Sequence, residues 1–192
     1  MIDAGTIEAI FKDSLRAKKD FLAQSGNVSG ITRAAEALIG CYRRGGKVIV
    51  FGNGGSAADS QHMATELVAR FEKERKALPC IALSANASCL TAIGNDYDFD
   101  KVFSRQIEAL IRPSDVAVAI STSGNSPNVI EGAREAIKNH VPVIALTGRD
   151  GGILAGMADV PIVVKHQNTA RIQEVHILVI HILCKLTEDA LG

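Results

Sequence analysis

The sequence predicts an α/β protein built on a five-stranded parallel sheet with helices on both faces. Two observations carry this reading. Five short apolar runs alternate with helix-length stretches along the 192 residues. The runs show no in–out alternation, as strands covered on both faces should not. A third observation places the chemistry: two strand-to-helix loops, Phe51-Gly52-Asn53-Gly54-Gly55-Ser56 and Ser121-Thr122-Ser123-Gly124-Asn125-Ser126-Pro127, are rich in glycine, serine and asparagine. Ligands bind at such loops in open α/β sheets.

The elements follow in order. Residues 3–24 carry Ile7, Ile10, Phe11 and Leu15 at helical spacing, and residues 28–43 carry Ile31, Ala35, Leu38 and Ile39. Asn27-Val28-Ser29-Gly30 reads as the break between these two helices, and Gly45-Gly46 ends the second. The pair either covers one sheet face or packs against another subunit. Strand-like runs then fall at 47–51, 80–83, 115–120, 142–146 and 160–164. Helical stretches occupy 56–70, about 101–111, 126–139, 151–157 and 169–190. Five strands suit a nucleotide-binding-like or flavodoxin-like layer architecture, with right-handed crossovers.

Composition narrows the class. An apolar content of 47% supports one good core, and no linker divides residues 1–192, so one domain is expected. Twenty-one basic residues balance 21 acidic ones, which leaves no global field for nucleic acid or an anionic membrane. The most apolar late segment, 177–186, is short and holds His181 and Lys185, so it reads as a buried helix and not a membrane span. Cys41, Cys80, Cys89 and Cys184 form no CxxC pair and read as small hydrophobes in a reducing compartment. With no signal peptide read at the N-terminus, a cytoplasmic protein is expected.

The loop at 121–127 has the parts of an anion site. Ser126 fits an N-cap and Pro127 the first helical position. The free N–H groups of that helix start favour an anion, and Ser121, Thr122 and Ser123 add hydroxyl donors. The loop is neither a Walker A motif nor a GxGxxG, which favours a monophosphate ester over a nucleoside triphosphate. An ordinary capped Ser/Gly turn is the other reading.

The segments GNGGSAADSQHMATEL, AIGNDY, ISTSGNSPNV, ALTGRDGG and TARIQEVHILVIHIL together resemble the phosphoheptose isomerase family of sugar isomerase (SIS) domains, over nearly the whole chain. The resemblance implies a homotetramer with active sites at subunit interfaces. It implies conversion of D-sedoheptulose 7-phosphate to D-glycero-D-manno-heptose 7-phosphate, the first step towards the heptose of bacterial lipopolysaccharide core. Its substrate contacts fall on Asn53, Gly54, Gly55, Ser56, Glu66, Asn95, Asp96, Ser121, Thr122, Ser123, Ser126 and Gln173. Its zinc ligands fall on His62, Glu66, Gln173 and His181, and its acid–base pair on Glu66 and His181. Three places depart from the family pattern: Asp98, Ala85-Asn86 and His166-Gln167. They bear on loop shape and substrate preference.

Residue chemistry stands beside the resemblance. An aldose–ketose shift needs a base for a carbon-bound proton and an acid for oxygen. A partly desolvated Glu66 suits the first, because burial raises a carboxylate pKa. His181 suits the second, because imidazole titrates near neutrality. His62 and Glu66 are four apart and share a helix face, which suits a common metal or a simple helix-surface hydrogen bond. Nitrogen and oxygen donors without thiolate are compatible with zinc, although an ion on Glu66 competes with its use as a base. Gln173 and His181 are eight apart, about 12 Å along a helix and rotated by roughly 80°. One of them is therefore expected from a neighbouring chain.

Weaker expectations concern single residues. Thr169 reads as the N-cap of the last helix, and Asp59 as a first-turn acid on the helix dipole. Glu174 and His176 read as helix-surface or packing groups, and His140 and His166 as solvated. Arg171 reads as either a phosphate or an interface contact. The rival function is a non-enzymatic regulator resembling the DnaA initiator-associating protein. That relative lacks the acid at the position of Glu66 and the histidine at that of His181.

Overall fold

The computed structural model describes residues 3–192. Helices α1 (Ala4–Ala23) and α2 (Ser25–Arg43) precede strand β1 (Val48–Gly52) and helix α3 (Gly55–Val68). Strand β2 (Cys80–Ala82), helix α4 (Ala87–Asp96), a 3-10 turn (Phe99–Lys101) and helix α5 (Ser104–Leu110) follow. Then come β3 (Val116–Ser121), α6 (Pro127–Lys138), β4 (Val143–Gly148), α7 (Gly152–Met157), β5 (Val160–Val164) and α8 (Thr169–Leu191).

All neighbouring strands are parallel, in the order β2-β1-β3-β4-β5. Successive side chains of each strand feed opposite layers. Val48 and Val50 join Val116, Val118, Ile144 and Ile162 in a core shared with α2, α3 and α8. Ile49 and Phe51 join Ala117, Ala119, Val143 and Ala145 in a second core under α5, α6 and α7. The missing alternation in the sequence thus has its expected cause: both faces are covered. The order reverses between β1 and β3, so the loops after these strands flank the switch point of the sheet.

The two N-terminal helices differ in burial. Helix α2 buries Ile31, Ala34, Ala35, Leu38 and Cys41 against the sheet and α8. Helix α1 buries only Ala17 and Phe21 and leaves Ile7, Ile10, Phe11, Leu15 and Leu22 exposed. The break between them falls at the extended residue Gln24, not at 27–30, which lies inside α2. Asn27 is buried there and donates from Nδ2 to the Phe21 carbonyl at 2.8 Å. Gly30, also buried, faces Pro161 and Ile162 of β5.

Other local expectations are corrected. Helix α4 was not foreseen. The predicted 101–111 helix is a 3-10 turn followed by the shorter α5. Asn168, not Thr169, caps α8, accepting from the Ala170 N–H at 2.9 Å. Asp59 is the fifth residue of α3, beyond the first turn. Arg171 donates to the Ile10 carbonyl of α1 at 3.2 Å and pairs with Glu174, so it ties α1 to α8 within one chain. His166 is half-buried, not solvated, and lies 3.8 Å from Asp13. His140 is exposed as expected.

Candidate active site

The loops after β1 and β3 meet around a cavity of about 270 Å³ lined by Asn53, Gly54, Gly55, Ser56, Ser121, Thr122, Ser126, Thr169 and Gln173, with Ile120 beneath. Ser126 takes the N-cap backbone conformation of α6, and Pro127 occupies the first helical position. The Ser126 hydroxyl does not cap the helix. It lies 3.0 Å from Ser121 Oγ, and Ser121 Oγ lies 3.4 Å from Ser123 Oγ. Three hydroxyls are therefore clustered beside a helix start, as an anion requires. Gly124 has φ +66, and a Cβ there would overlap the Gly151 carbonyl, so the turn is closed by glycine backbone.

Asn53 was expected at the ligand. Its amide is paired reciprocally with that of Asn128 on α6, at 2.8 and 2.9 Å. Asn128 is 1% exposed and was not foreseen. It fixes the β1 loop to the β3 loop across the cavity. Asn95 and Asp96 close α4, are exposed, and bond to each other at 2.8 Å; neither lines the cavity.

A second group of side chains lies further along α3. Helices α3 and α8 pack in parallel: a Cβ on Gly55 would overlap the Gln173 amide at one end, while His62 meets His181 at the other. The two Nε2 atoms stand 2.9 Å apart, although the residues are 119 apart in sequence. Either ring can be the donor in this contact, depending on the tautomer. Glu66 Oε1 lies 3.4 Å from His62 Nε2, and its side chain is 20% exposed. Phe71 packs on the His181 ring with centroids 5.7 Å apart.

The structure therefore joins Glu66, His62 and His181 and sets Gln173 apart from them, at the anion cavity. Seven residues of helix separate Gly55 from His62, about 10 Å. The eight-residue spacing in α8 produces the separation expected from it. The two ring nitrogens point at each other, and among the described residues no group of three His, Cys, Asp or Glu side chains surrounds a common centre.

Two titratable neighbours lie close by. Burial pushes the Asp59 carboxyl up to about 6, with His62 pulling the other way, and its Oδ2 has no hydrogen-bond partner. His176, fully buried on α8, bonds the Thr147 carbonyl of β4 through Nε2 at 2.9 Å. Burial pushes its imidazole down to about 4, partly offset by that bond. It is a packing group.

These features define a class: open α/β proteins with an anion cradle at the switch point of the sheet and an acid–base cluster beside it. The SIS domain family model matches residues 11–148. Phosphoheptose isomerase from Neisseria gonorrhoeae (strain NCCP11945) is 52% identical over 188 residues, which cover 96% of this chain and 94% of that protein. Two solved structures match over the whole fold. Phosphoheptose isomerase GmhA from Neisseria gonorrhoeae superposes with a TM-score of 0.90 at 47% identity, covering 96% of this chain and 98% of the other. A phosphoheptose isomerase from Francisella tularensis gives 0.93 at 38% identity, covering 98% and 100%. The chain belongs to the phosphoheptose isomerase family of SIS-domain proteins.

Proposed function

We propose that the protein interconverts D-sedoheptulose 7-phosphate and D-glycero-D-manno-heptose 7-phosphate through an enediol, early in lipopolysaccharide core synthesis. The observation that carries this reading is that His62 stands 2.9 Å from His181 and 3.4 Å from Glu66, on helices whose other ends line the hydroxyl cavity. Ser121, Thr122, Ser123 and Ser126 hold the phosphate. Asn53, Gly54, Gly55, Ser56 and Gln173 hold the sugar, and Asn95 and Asp96, which lie outside this cavity, reach it from a neighbouring copy. Glu66 takes the proton from C1 and returns it to C2. His181 protonates O2 and accepts the proton from O1.

The chemistry of the donors suits a zinc ion: two imidazole nitrogens and one carboxylate oxygen, without thiolate, are its usual partners, although among the described residues these side chains do not surround a common centre. His62, Glu66 and His181 would hold it, with Gln173 from a neighbouring copy. When bound, the ion would polarise the substrate oxygens. Glu66 serves as the base only if the oxygen facing C1 stays free of the ion.

The distance from the cradle to the acid–base cluster supports a site shared between copies. From Gly55 to Glu66, α3 rises about 16 Å. The apolar stripe of α1 supplies a surface for self-association, in keeping with a tetramer in which residues 1–44 form contacts. A cytoplasmic location is supported by four free cysteines, three of them buried. No described helix is long and apolar enough to cross a membrane. The regulatory alternative is not favoured: Glu66 and His181 are both present, and relatives 38–52% identical over nearly the whole chain are named phosphoheptose isomerases.

The test is incubation of pure protein with five-, six- and seven-carbon ketose phosphates, with products read by NMR. Turnover of the seven-carbon substrate is expected, lost on chelation and restored by zinc. Absence of turnover with zinc present would refute the reading.

A further inference from the structure

Behind the acid–base cluster lies a buried ion pair that the reaction does not use. Glu188, at the start of the last turn of α8, is fully buried. Its carboxylate accepts the backbone N–H groups of Phe71, Glu72 and Lys73 at 3.0, 2.8 and 2.9 Å. Arg75, with a side chain 3% exposed, places Nε 3.3 Å from Glu188 Oε1, in ion-pair contact but off the axis of a hydrogen bond. The same guanidinium donates Nη2 to the Glu66 carbonyl and Nη1 to the Leu67 carbonyl, each at 2.8 Å. Those are carbonyls of the last turn of α3, which lack intrahelical partners. Burial raises the Glu188 carboxyl, but the three backbone donors and Arg75 outweigh it, so it lies below the ordinary carboxylate range.

Two geometric consequences follow. The segment 71–73 is pinned to α8, which seats the Phe71 ring on the imidazole of His181. The end of α3 that carries Glu66 is tied, through one arginine, to the helix that carries His181. A buried ion pair is weak as a source of stability, because desolvation offsets its attraction, and well-packed apolar side chains do as well. Its value here is the geometry it enforces.

We propose that Arg75 and Glu188 form a positioning clamp that holds Phe71 against His181, fixing the imidazole beside His62 and Glu66. The inference rests on the isomerase reading for its kinetic consequence only. Phe71, Arg75 and Glu188 touch no substrate and act through His181.

The experiment compares Phe71→Leu, Phe71→Tyr and Glu188→Gln in the full-length protein. Phe71→Leu leaves the clamp in place and removes the ring. Its kcat should fall about tenfold or more, because small misplacements of a reacting group are costly, with KM within twofold and melting temperature nearly unchanged. Phe71→Tyr should restore kcat. Glu188→Gln should lose both kcat and melting temperature. A crystal structure of Phe71→Leu should show the His62–His181 contact broken. Wild-type kcat in Phe71→Leu, or a Glu188→Gln protein that loses melting temperature alone, would overturn the proposal. An inactive wild type would refute the isomerase reading instead. The crystal structure still decides the clamp in that case: an intact His62–His181 contact in Phe71→Leu rejects it.

Discussion

The two ends of α3 are built by different means. At its N-terminal end, the anion cradle is made of backbone and hydroxyl groups a few residues apart, in loops that the sheet delivers to one point. In its C-terminal half, His62 and Glu66 acquire a partner only because α8 runs parallel to α3 and carries His181 to the same level. Under the proposed function, binding is local, and the proton chemistry depends on the register of two helices. Damage should separate accordingly: loop variants should change affinity, and variants along the α3–α8 seam should change turnover.

The largest effect is expected at Glu66. Glu66→Gln keeps the shape of the side chain and removes its basicity. We expect kcat to fall by about 100- to 10,000-fold, with KM and melting temperature near those of the parent. Steady-state kinetics on sedoheptulose 7-phosphate check this. Turnover within threefold of the parent would end the assignment of the base and, with it, the division of roles between the two ends of the helix.

The next effect concerns what keeps α8 in register. His176 bonds β4 from the middle of α8, and burial holds its imidazole near 4 against an ordinary 6.5. The unfolded chain therefore takes up this proton first as pH falls. The stability is fully present above about 6.5 and is lost between there and 4, by about 3 kcal/mol in all. Asp59 works in the opposite sense: its carboxyl, raised to about 6, favours the fold at low pH and loses that contribution as pH rises from about 4 to 6. Denaturant midpoints measured between pH 4 and 7 should fall more steeply on acidification in Asp59→Asn than in the parent. Replacing His176 with glutamine should flatten that fall. Equal slopes in all three proteins would remove His176 as the titrating brace.

How far the sequence disclosed this architecture follows the same division. The five strands were legible because Val48–Gly52, Val116–Ser121 and Val143–Gly148 are unbroken apolar runs. The cradle was legible because Ser121 to Pro127 carries its hydroxyls, cap and helix start contiguously. The separation of Gln173 from His181 could be computed from helix geometry alone. Helix α4 escaped because it is short and only Leu90 and Ile93 pack, partly buried, on the second core, too few to mark a helical period. The hinge was misplaced because Asn27 and Gly30 resemble turn residues. Both are buried inside α2, where Asn27 makes a bond to the Phe21 carbonyl and Gly30 faces β5. Asn128, Arg75 and Glu188 were invisible for the same cause, since their partners lie 75, 8 to 9 and 115 to 117 residues away, at distances that only packing sets.

A smaller effect sharpens the loop side of the comparison. Ser126 Oγ sits beside Ser121 Oγ in the cavity. Removing it in Ser126→Ala deletes one hydrogen bond to a charged group, worth about 1.5–3 kcal/mol. We expect KM to rise about 10- to 100-fold with kcat nearly constant, the signature of lost uniform binding. A fall in kcat at constant KM would place this serine with the proton chemistry and blur the boundary.

The smallest effect tests whether the two ligand loops are coupled. Asn53 is half-buried, and Asn128 is almost fully enclosed. Deleting either breaks the same amide pair, but the stranded partner differs. In Asn128→Ala, the Asn53 amide can turn towards water, so the loss should be about 1 kcal/mol or less. In Asn53→Ala, the Asn128 amide stays in the interior without a partner, at a cost of about 1–3 kcal/mol. The double variant should be no worse than Asn53→Ala alone, because the buried orphan is gone. A double-mutant cycle on unfolding free energy reads the coupling directly. Strict additivity of the two single changes would mean that the loops are held apart by the sheet alone, and that the amide pair does not join them.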